Sequence, residues 1–227
     1  MEHIPANDMK HAIADPSTPD ITARVVELLV THHVLPPTDD AIRRALRWLL
    51  RVQEQDGSWY GRWGATYLYG TWCVVRALCA SGMTGGDEPL SCARNWLLLI
   101  QQREGSFGES CHSDELGRYD PLDQGLPSQT AWALDALLCL NAAEPTDLEK
   151  KRLSNACHRS AKWLVDAFED KQWCETVPTG SAFPGALHIR YHLYPKVWPL
   201  FALTRYRDTY SALSKGGEEK WLSILDS

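Results

Sequence analysis

The sequence predicts an all-α protein, an α/α barrel-like array of helical hairpins that forms part of an α/α toroid. Helical apolar periodicity runs along the chain with almost no strand-like alternation. Helices that are apolar all round alternate with amphipathic ones, and a tryptophan-rich segment recurs about every 50 residues. Because helices without a polar face must be buried, we expect their amphipathic partners to cover them from outside.

Two kinds of helix are predicted along the chain. The apolar ones span residues 20–34, 67–80, 129–140 and about 189–206; the amphipathic ones begin near Asp39, Glu88 and Thr146, with a last short one near Tyr210. We expect Thr18 or Asp20 to cap the first helix, and Pro36 and Pro37 to end it. Residues 1–15 are predicted to be a flexible segment, and residues 16–227 a single helical domain.

The recurring segment has a fixed spacing. Trp48, Leu49, Gln53, Gly57 and Trp59 recur as Trp96, Leu97, Gln101, Gly105 and Phe107, and an eroded third copy runs from Trp163 and Leu164 to Trp173 with Phe168 in the Gln position. The Gln amide can bond to backbone groups at a helix end, and the final Trp is expected to stack on the neighbouring hairpin. A closed barrel of six hairpins would need about 300 residues, so this chain holds about three to four of them.

Composition excludes several classes of function. The net charge is −6 with Lys and Arg spread along the chain, so no nucleic-acid partner is expected.

The seven cysteines form no C-x-x-C pair and are predicted to be reduced, in a cytoplasmic setting. Cys111, His112 and Asp114 lack a second ligand pair, so we expect no metal, and no motif requires a cofactor. Residues 1–14 lack a signal-peptide core, and no apolar run approaches the ~18–20 residues of a membrane span, which leaves peripheral membrane contact open.

The repeat resembles the QW motif of triterpene cyclases. Every position of that motif is satisfied by Arg44, Ala45, Trp48, Leu49, Gln53, Gly57 and Trp59. Four further segments are similar to squalene–hopene cyclases in the same order: PSTPDIT at residues 16–22, DGSWYGRWGATYLYGT at 56–71, PSQTAWAL at 127–134, and the FPG segment at 183–206. The chain is therefore identified as similar to the C-terminal part of a squalene–hopene-type (class II) triterpene cyclase, which implies a toroid of terpene-cyclase type.

This resemblance implies an isoprenoid substrate held in an aromatic-lined cavity. In the family, an Asp of a D-x-D-D motif protonates the polyprenyl chain and aromatic faces stabilise the resulting carbocations, a contact worth ~2 kcal/mol when desolvated. The positions that match the family's substrate-binding residues are Trp63, Tyr69, Phe183, Leu187, Tyr191 and Tyr194. Leu187 stands where many members have an aromatic residue, so one π-face is missing.

No D-x-D-D string occurs in the 227 residues. The nearest string, Thr38, Asp39 and Asp40, is interpreted as a helix cap. We expect the acid to come from a second protein chain that carries the D-x-D-D half; the barrel could also be completed by a homo-oligomer. In bacterial relatives a His four residues after the DIT Asp supports the acid. Here Asp20 is followed by Arg24, which either supports an acid supplied in trans or simply pairs with Asp20.

Several functions stay open at this stage. The first is a cyclase fragment or subunit that needs a partner chain for activity. The second is a non-catalytic isoprenoid- or hopanoid-binding or scaffold module, which the missing acid favours. A protein prenyltransferase β-subunit would need an Asp/Cys/His zinc set on inner helices, and none is found. His188, Arg190 and His192 could ring an anionic substrate, although solvent exposure is the preferred interpretation.

Overall fold

A computed structural model describes residues 16–171, 173–183 and 187–213. Within these ranges the chain forms eight helices and one antiparallel hairpin. They are α1 (Pro19–Thr31), α2 (Asp40–Arg51), α3 (Tyr67–Ala80), α4 (Glu88–Ile100), α5 (His112–Leu116), α6 (Pro127–Ala143), α7 (Asp147–Lys171), β1 (Gly180–Phe183), β2 (Leu187–Ile189) and α8 (Tyr194–Leu213). The prediction of an all-α protein is confirmed, whereas the small hairpin and α5 were not predicted. The flexible segment predicted at residues 1–15 lies outside the described part.

The helices form the predicted inner and outer layers. In the inner row, α1 packs against α3, α3 against α6, and α6 against α8. The outer helix α2 covers α1, α4 covers α3 and α6, and α7 packs on α6 and α8. The middle of the row is the core, with α6 buried along most of its length. The two end helices keep large apolar side chains exposed: Ile21, Val25 and Leu28 on α1, and Val197, Leu200 and Phe201 on α8.

The helix boundaries that differ most from the prediction are those of α1 and α8. Helix α1 ends at Thr31, before the prolines, because His33 takes a left-handed φ of 56° and the N–H of Val34 bonds back to the carbonyl of Leu29. The predicted helix over residues 189–206 begins only at Tyr194, since residues 187–189 pair with β1. It then continues to residue 213, so no separate helix forms near Tyr210.

Helix caps follow the sequence only in part. Asp39 caps α2 by accepting the N–H of Ala41 at 2.8 Å, as interpreted from the Thr38–Asp40 string. Thr18 stands at the N-cap of α1 but its side chain makes no capping bond. Asp20, inside the first turn, accepts the N–H of Ile21 instead. The first helix is therefore held by the aspartate rather than by the threonine.

The repeated motif has the same geometry in its two intact copies. The amide nitrogen of Gln53 donates to the carbonyl oxygens of Gly57 and Pro89, each at 2.9 Å. That of Gln101 donates to the carbonyl oxygens of Gly105 and Ala156 at 3.2 and 3.0 Å. Each glutamine therefore ties its own turn to the next outer helix, as the motif predicts.

The final tryptophan of the motif is anchored to its own outer helix. The indole N–H of Trp59 donates to the carbonyl oxygen of Leu49 at 2.8 Å, and that of Trp173 to the carbonyl oxygen of Leu164 at 2.7 Å. Each of these bonds holds an indole against the helix that precedes it. The expected stacking of the ring on the neighbouring hairpin stays a prediction.

Two buried glutamates cap inner helices from distant loops. Glu109 accepts the backbone N–H groups of Thr66, Tyr67 and Leu68 at 2.8–2.9 Å, at the start of α3. Glu175 accepts both the backbone N–H and the hydroxyl of Ser128, at the start of α6. Burial raises the pKa of both carboxyl groups, against the effect of these donors. Each glutamate stands two residues after the final aromatic of a repeat, in the second and third copies, whereas the first copy has Gly61 at that position.

The motif glycine should be indispensable for packing as well as for its turn. Gly105 has a φ of 107°, and a Cβ there would lie 2.5 Å from the carbonyl carbon and oxygen of Arg159. We expect Gly105→Ala to lower the free energy of unfolding by about 3 kcal/mol or more in urea titrations. Gly82 is the matched control, because it also has a positive φ (91°) but nothing within 4 Å. Gly82→Ala should cost only the backbone strain, about 1–2 kcal/mol, and equal losses at the two positions would contradict the packing argument.

Candidate functional site

An aromatic cluster joins three of the inner helices, α3, α6 and α8. Trp132 of α6 is at its centre, with ring centroids 5.1 Å from Tyr69, 5.9 Å from Trp72, 5.9 Å from Tyr194 and 6.4 Å from Trp198. The rings of Trp132 and Trp72 are nearly parallel, at 15°, whereas the others meet Trp132 edge to face. Such arrangements match the quadrupoles of the rings. The cluster therefore gives the inner layer a rigid aromatic wall.

The hairpin brings two predicted tyrosines to this wall. Tyr191 and Tyr194 stack at 4.5 Å, and Tyr194 also contacts Trp132 and Trp198. Tyr191 lies so close to Gly180 of β1 that a Cβ there would be 2.2 Å from its ring. Tyr191 is 38% exposed, which leaves part of the ring accessible.

The ring of Tyr69, like that of Tyr191, packs directly against a glycine. A Cβ at Gly64 would come within 2.3 Å of the Tyr69 ring, and Gly64 itself bridges to Gly180. Burial raises the pKa of Tyr69 and of Tyr194 above the ordinary value, so both phenols stay protonated at neutral pH. Both tyrosines therefore present neutral aromatic faces and a hydroxyl.

The remaining predicted lining residues stand apart from the cluster. Trp63 is half-buried in the loop before α3, and the guanidinium carbon of Arg62 lies 5.7 Å from its ring centroid. Its carbonyl accepts the N–H of Ser181, which joins the loop to β1. Leu187 on β2 is 49% exposed, so its apolar side chain faces outward in part. Phe183 ends β1, and its side chain lies outside the described part.

Asp20 holds the loop of Trp63 in place. It is fully buried, and its two oxygens accept the backbone N–H groups of Ile21 at 2.9 Å and Trp63 at 3.0 Å. Arg24 does not pair with it: the guanidinium carbon of Arg24 lies 4.9 Å from the ring centroid of Trp72. Among the described residues, no carboxylate lies within 4.0 Å of this guanidinium. The predicted alternative of an Asp20–Arg24 ion pair is therefore wrong, because backbone donors already occupy both oxygens of Asp20.

A groove opens over the aromatic wall between the two ends of the inner row. Its volume is about 540 Å³, and residues of α1, α3 and α8 line it. The apolar side chains that line it include Ile21, Val25, Leu28, Trp72, Trp198 and Phe201. This volume lies within the range of about 300–1,000 Å³ that small-molecule sites occupy. A hydrocarbon chain would therefore find both space and apolar walls there.

One line of charges crosses all four inner helices beneath the groove. Glu27 of α1 accepts from Nε of Arg76 of α3 at 2.7 Å, and Arg76 also pairs with Asp135 of α6. Asp135 pairs in turn with Arg205 of α8 and accepts the indole N–H of Trp72 at 2.7 Å. Asp135 is 1% exposed, so it is the buried centre of the line. It fixes the orientation of Trp72 by holding the N–H edge of the indole.

Sequence reasoning missed Trp72, Trp132, Trp198 and Asp135. A usable signal was present in α6, where Asp135 is an acid in a helix that is otherwise apolar all round. Such a residue needs a buried partner. Trp72 and Trp132 also stand inside or beside the quoted segments 56–71 and 127–134. Their mutual contact is a matter of packing between α3 and α6, which periodicity does not specify.

The residues considered for a metal or an anion have other partners. Cys111 donates from its thiol to the carbonyl oxygen of Pro178, and Asp114 accepts the hydroxyl of Tyr60 at 2.6 Å. His188 lies 3.7 Å from Asp114, and Arg190 donates to the carbonyl oxygen of Glu175. In the part of the chain that the structure describes, no group of three His, Cys, Asp or Glu side chains could hold a metal ion.

Together the fold and the site define a segment of an α/α toroid of terpene-cyclase type with an aromatic inner face. The chain belongs to the squalene–hopene cyclase C-terminal domain family, which it matches over residues 1–208. It is 37% identical over 204 residues to the squalene–hopene cyclase of Zymomonas mobilis, a match that covers 88% of this chain. It is 38% identical over 206 residues to the sporulenol synthase of Bacillus subtilis and 40% identical over 209 residues to the squalene–hopene cyclase of Alicyclobacillus acidocaldarius, covering 91% and 90% of this chain.

The chain spans only 29–31% of the length of these three relatives. Among solved structures it is similar to ent-copalyl diphosphate synthase from Streptomyces platensis, with a TM-score of 0.62 over 87% of this chain and 34% of the other. At 20% identity this likeness supports the fold alone. Within the described ranges, no helix combines the length and the apolar character needed to cross a membrane.

Proposed function

We propose that this chain forms the C-terminal wall of the cavity of a class II terpene cyclase, in which a polyprenyl substrate is cyclised through carbocations. The observation that carries the proposal is the aromatic cluster around Trp132, two of whose rings, Trp72 and Trp198, line an apolar groove. Aromatic faces in a dry cavity stabilise cations without adding a nucleophile that would trap them. The names of the relatives, squalene–hopene cyclase and sporulenol synthase, agree with this chemistry.

The proton donor is proposed to come from a second chain that carries a D-x-D-D motif. The 227 residues contain no such string, and the end helices α1 and α8 expose apolar side chains that a partner would cover. We propose that Asp20 supports the acid supplied in trans, because Asp20 holds the loop of Trp63. Arg24 would favour the ionised form of an acid held beside it, so we do not assign it the same role.

Co-expression with a D-x-D-D-bearing cyclase half tests the missing partner. Size-exclusion chromatography should show a stable complex or, if copies of this chain complete each other, a homo-oligomer. Ile21→Ser with Leu200→Ser should weaken that association by adding polar groups to both exposed faces. Leu148→Ser is the control, because Leu148 is 71% exposed on the outer helix α7. The proposal would be contradicted if the chain is a protease-resistant monomer that forms no complex with the D-x-D-D-bearing half.

The aromatic wall should control turnover in such a complex. We expect Tyr194→Leu to lower the rate of polycyclic product formation from squalene by about thirtyfold, the loss of one cation–π contact of about 2 kcal/mol. Products should be separated by gas chromatography and identified by mass spectrometry. Phe168→Leu removes a ring that contacts Trp173 on the outer layer and should leave the rate unchanged. Equal effects of the two substitutions would show that the loss reflects folding rather than the cavity.

A non-catalytic isoprenoid- or hopanoid-binding module is the second candidate. The absence of D-x-D-D from the 227 residues favours it, and binding alone would use the same groove. The two functions separate in the co-expressed complex with squalene. A binder retains the ligand unchanged, whereas a cyclase half releases a polycyclic product when the partner's D-x-D-D motif is intact.

A further inference from the structure

We propose that the groove between α1 and α8 binds an isoprenoid whose polar end carries an anionic oxygen group, a carboxylate or a phosphate ester, and that Arg24 supplies the counter-charge. This inference rests on the proposed function and names the substrate class of the same cavity. It differs from a cavity for a purely neutral hydrocarbon, in which a side chain with a fixed positive charge would have no partner.

The groove combines apolar walls with the guanidinium of Arg24, for which the described residues provide no carboxylate partner. Arg24 lines the groove together with Val25, Leu28, Trp198 and Phe201. Its guanidinium contacts the face of Trp72 and, within the described residues, meets no carboxylate. Because the guanidinium is half-buried beside these apolar side chains, water screens it only in part.

The neighbouring charges do not satisfy Arg24. Glu27, an acid that lines the groove, pairs with Arg76, while Asp135 pairs with Arg76 and Arg205. Asp20 lies one turn before Arg24, and each of its two oxygens accepts a hydrogen bond from a backbone N–H group. In the described part of the chain, each of these carboxylates therefore has another donor, whereas the N–H groups of the Arg24 guanidinium are available to a ligand.

An anion fits this position better than a cation does. A carbocation or ammonium group that approached Trp72 would meet the positive charge of Arg24 on the same ring. A carboxylate or phosphate would instead form bidentate charge-assisted hydrogen bonds with the guanidinium. Holding the carboxylate of a catalytic acid would also favour its ionised form and weaken it as a proton donor. A ligand head group meets no such objection.

Isothermal titration of the full chain with a matched pair of ligands tests the inference. Geranylgeranyl diphosphate and geranylgeraniol share their hydrocarbon chain and differ in the head group; geranylgeranoic acid supplies the carboxylate, and inorganic diphosphate supplies the anion without the chain. We expect both anionic isoprenoids to bind about tenfold to a hundredfold more tightly than the alcohol, the range for hydrogen bonds to a charged group. Inorganic diphosphate alone should bind far more weakly than its prenyl ester.

Arg24→Gln should abolish the preference for the anionic head group, by weakening the binding of the diphosphate far more than that of geranylgeraniol. Arg43→Gln is the matched control, because it removes one positive charge from the exposed face of α2 and should keep the preference. Circular dichroism checks that both variants fold, and Arg24→Lys should retain part of the preference. If alcohol and diphosphate bind equally, or if Arg24→Gln keeps the wild-type preference, the inference is overturned and the proposed cavity stands. If no isoprenoid binds, the proposed function of the isolated chain as a cavity wall fails as well.

Discussion

Replacing Asp135 by asparagine is expected to lower the free energy of unfolding by about 3 kcal/mol. Asp135 is 1% exposed, and its carboxylate forms ion pairs with two guanidinium groups, those of Arg76 on α3 and Arg205 on α8. Asparagine keeps the shape and one accepting oxygen, but it removes the charge and replaces the other oxygen by an NH2 donor. Both guanidiniums therefore lose their counter-charge, and one of the two sets of donors, Arg205 on one side or Arg76 and Trp72 on the other, meets an NH2 group instead of an acceptor. Removal of one partner from a buried ion pair is costly because the other charge stays buried.

Urea denaturation followed by tryptophan fluorescence measures this loss. The appropriate control is Asp166→Asn, since Asp166 lies 3.5 Å from Lys162 with both side chains about half exposed. An exposed pair of this kind contributes about 0–1 kcal/mol. A loss at Asp135 no larger than that at Asp166 would mean that the line of charges across the inner helices does not stabilise the fold.

Glu109→Ala is expected to have an effect of similar size at the other end of α3. The carboxylate accepts three backbone N–H groups, and alanine would leave all three buried without an acceptor. Each unsatisfied buried N–H group costs about 1–3 kcal/mol, and water that enters the site should relieve part of this cost. The free energy of unfolding should therefore fall by about 3–5 kcal/mol. The measurement is again the denaturation midpoint in urea, with the slope checked for a change in the denatured state.

Glu115→Ala is the matched control for this substitution, because Glu115 is exposed on the short helix α5. It should change the stability by no more than about 0.5 kcal/mol. Hydrogen exchange adds a local reading: in Glu109→Ala the amides of the first turn of α3 should exchange faster, while those of α7 stay protected. Uniform loss of protection, with no preference for α3, would argue against a capping role.

Much of the fold follows from features that act over short distances in sequence. Helix α3 has the predicted bounds because its apolar run is flanked by the glycine-rich loop and by Ser81 and Gly82. The two intact repeats have matching geometry because Gln53 and Gln101 each reach a carbonyl four residues away. Local spacing also predicted the alternation of inner and outer helices.

The features that were missed depend on contacts between distant segments. The hairpin at residues 180–189 consists of strands of four and three residues, which are too short to show a strand period. Trp72 and Asp135 are 63 residues apart, and Glu109 reaches backbone groups 41–43 residues earlier. The resemblance to family positions predicted that Tyr69, Tyr191 and Tyr194 lie near one cavity. It was not used to predict the other rings of the cluster, Trp72, Trp132 and Trp198.

An isoprenoid that binds against the inner row of helices, as we propose, should be captured there by photolabelling. A squalene analogue that carries a diazirine is incubated with the purified chain, and peptide mass spectrometry locates the labels. We expect labels on α1, α3 and α8, and unlabelled squalene should compete for them. Labels confined to the outer helices α2, α4 and α7, or labelling that squalene does not reduce, would rule out this binding face.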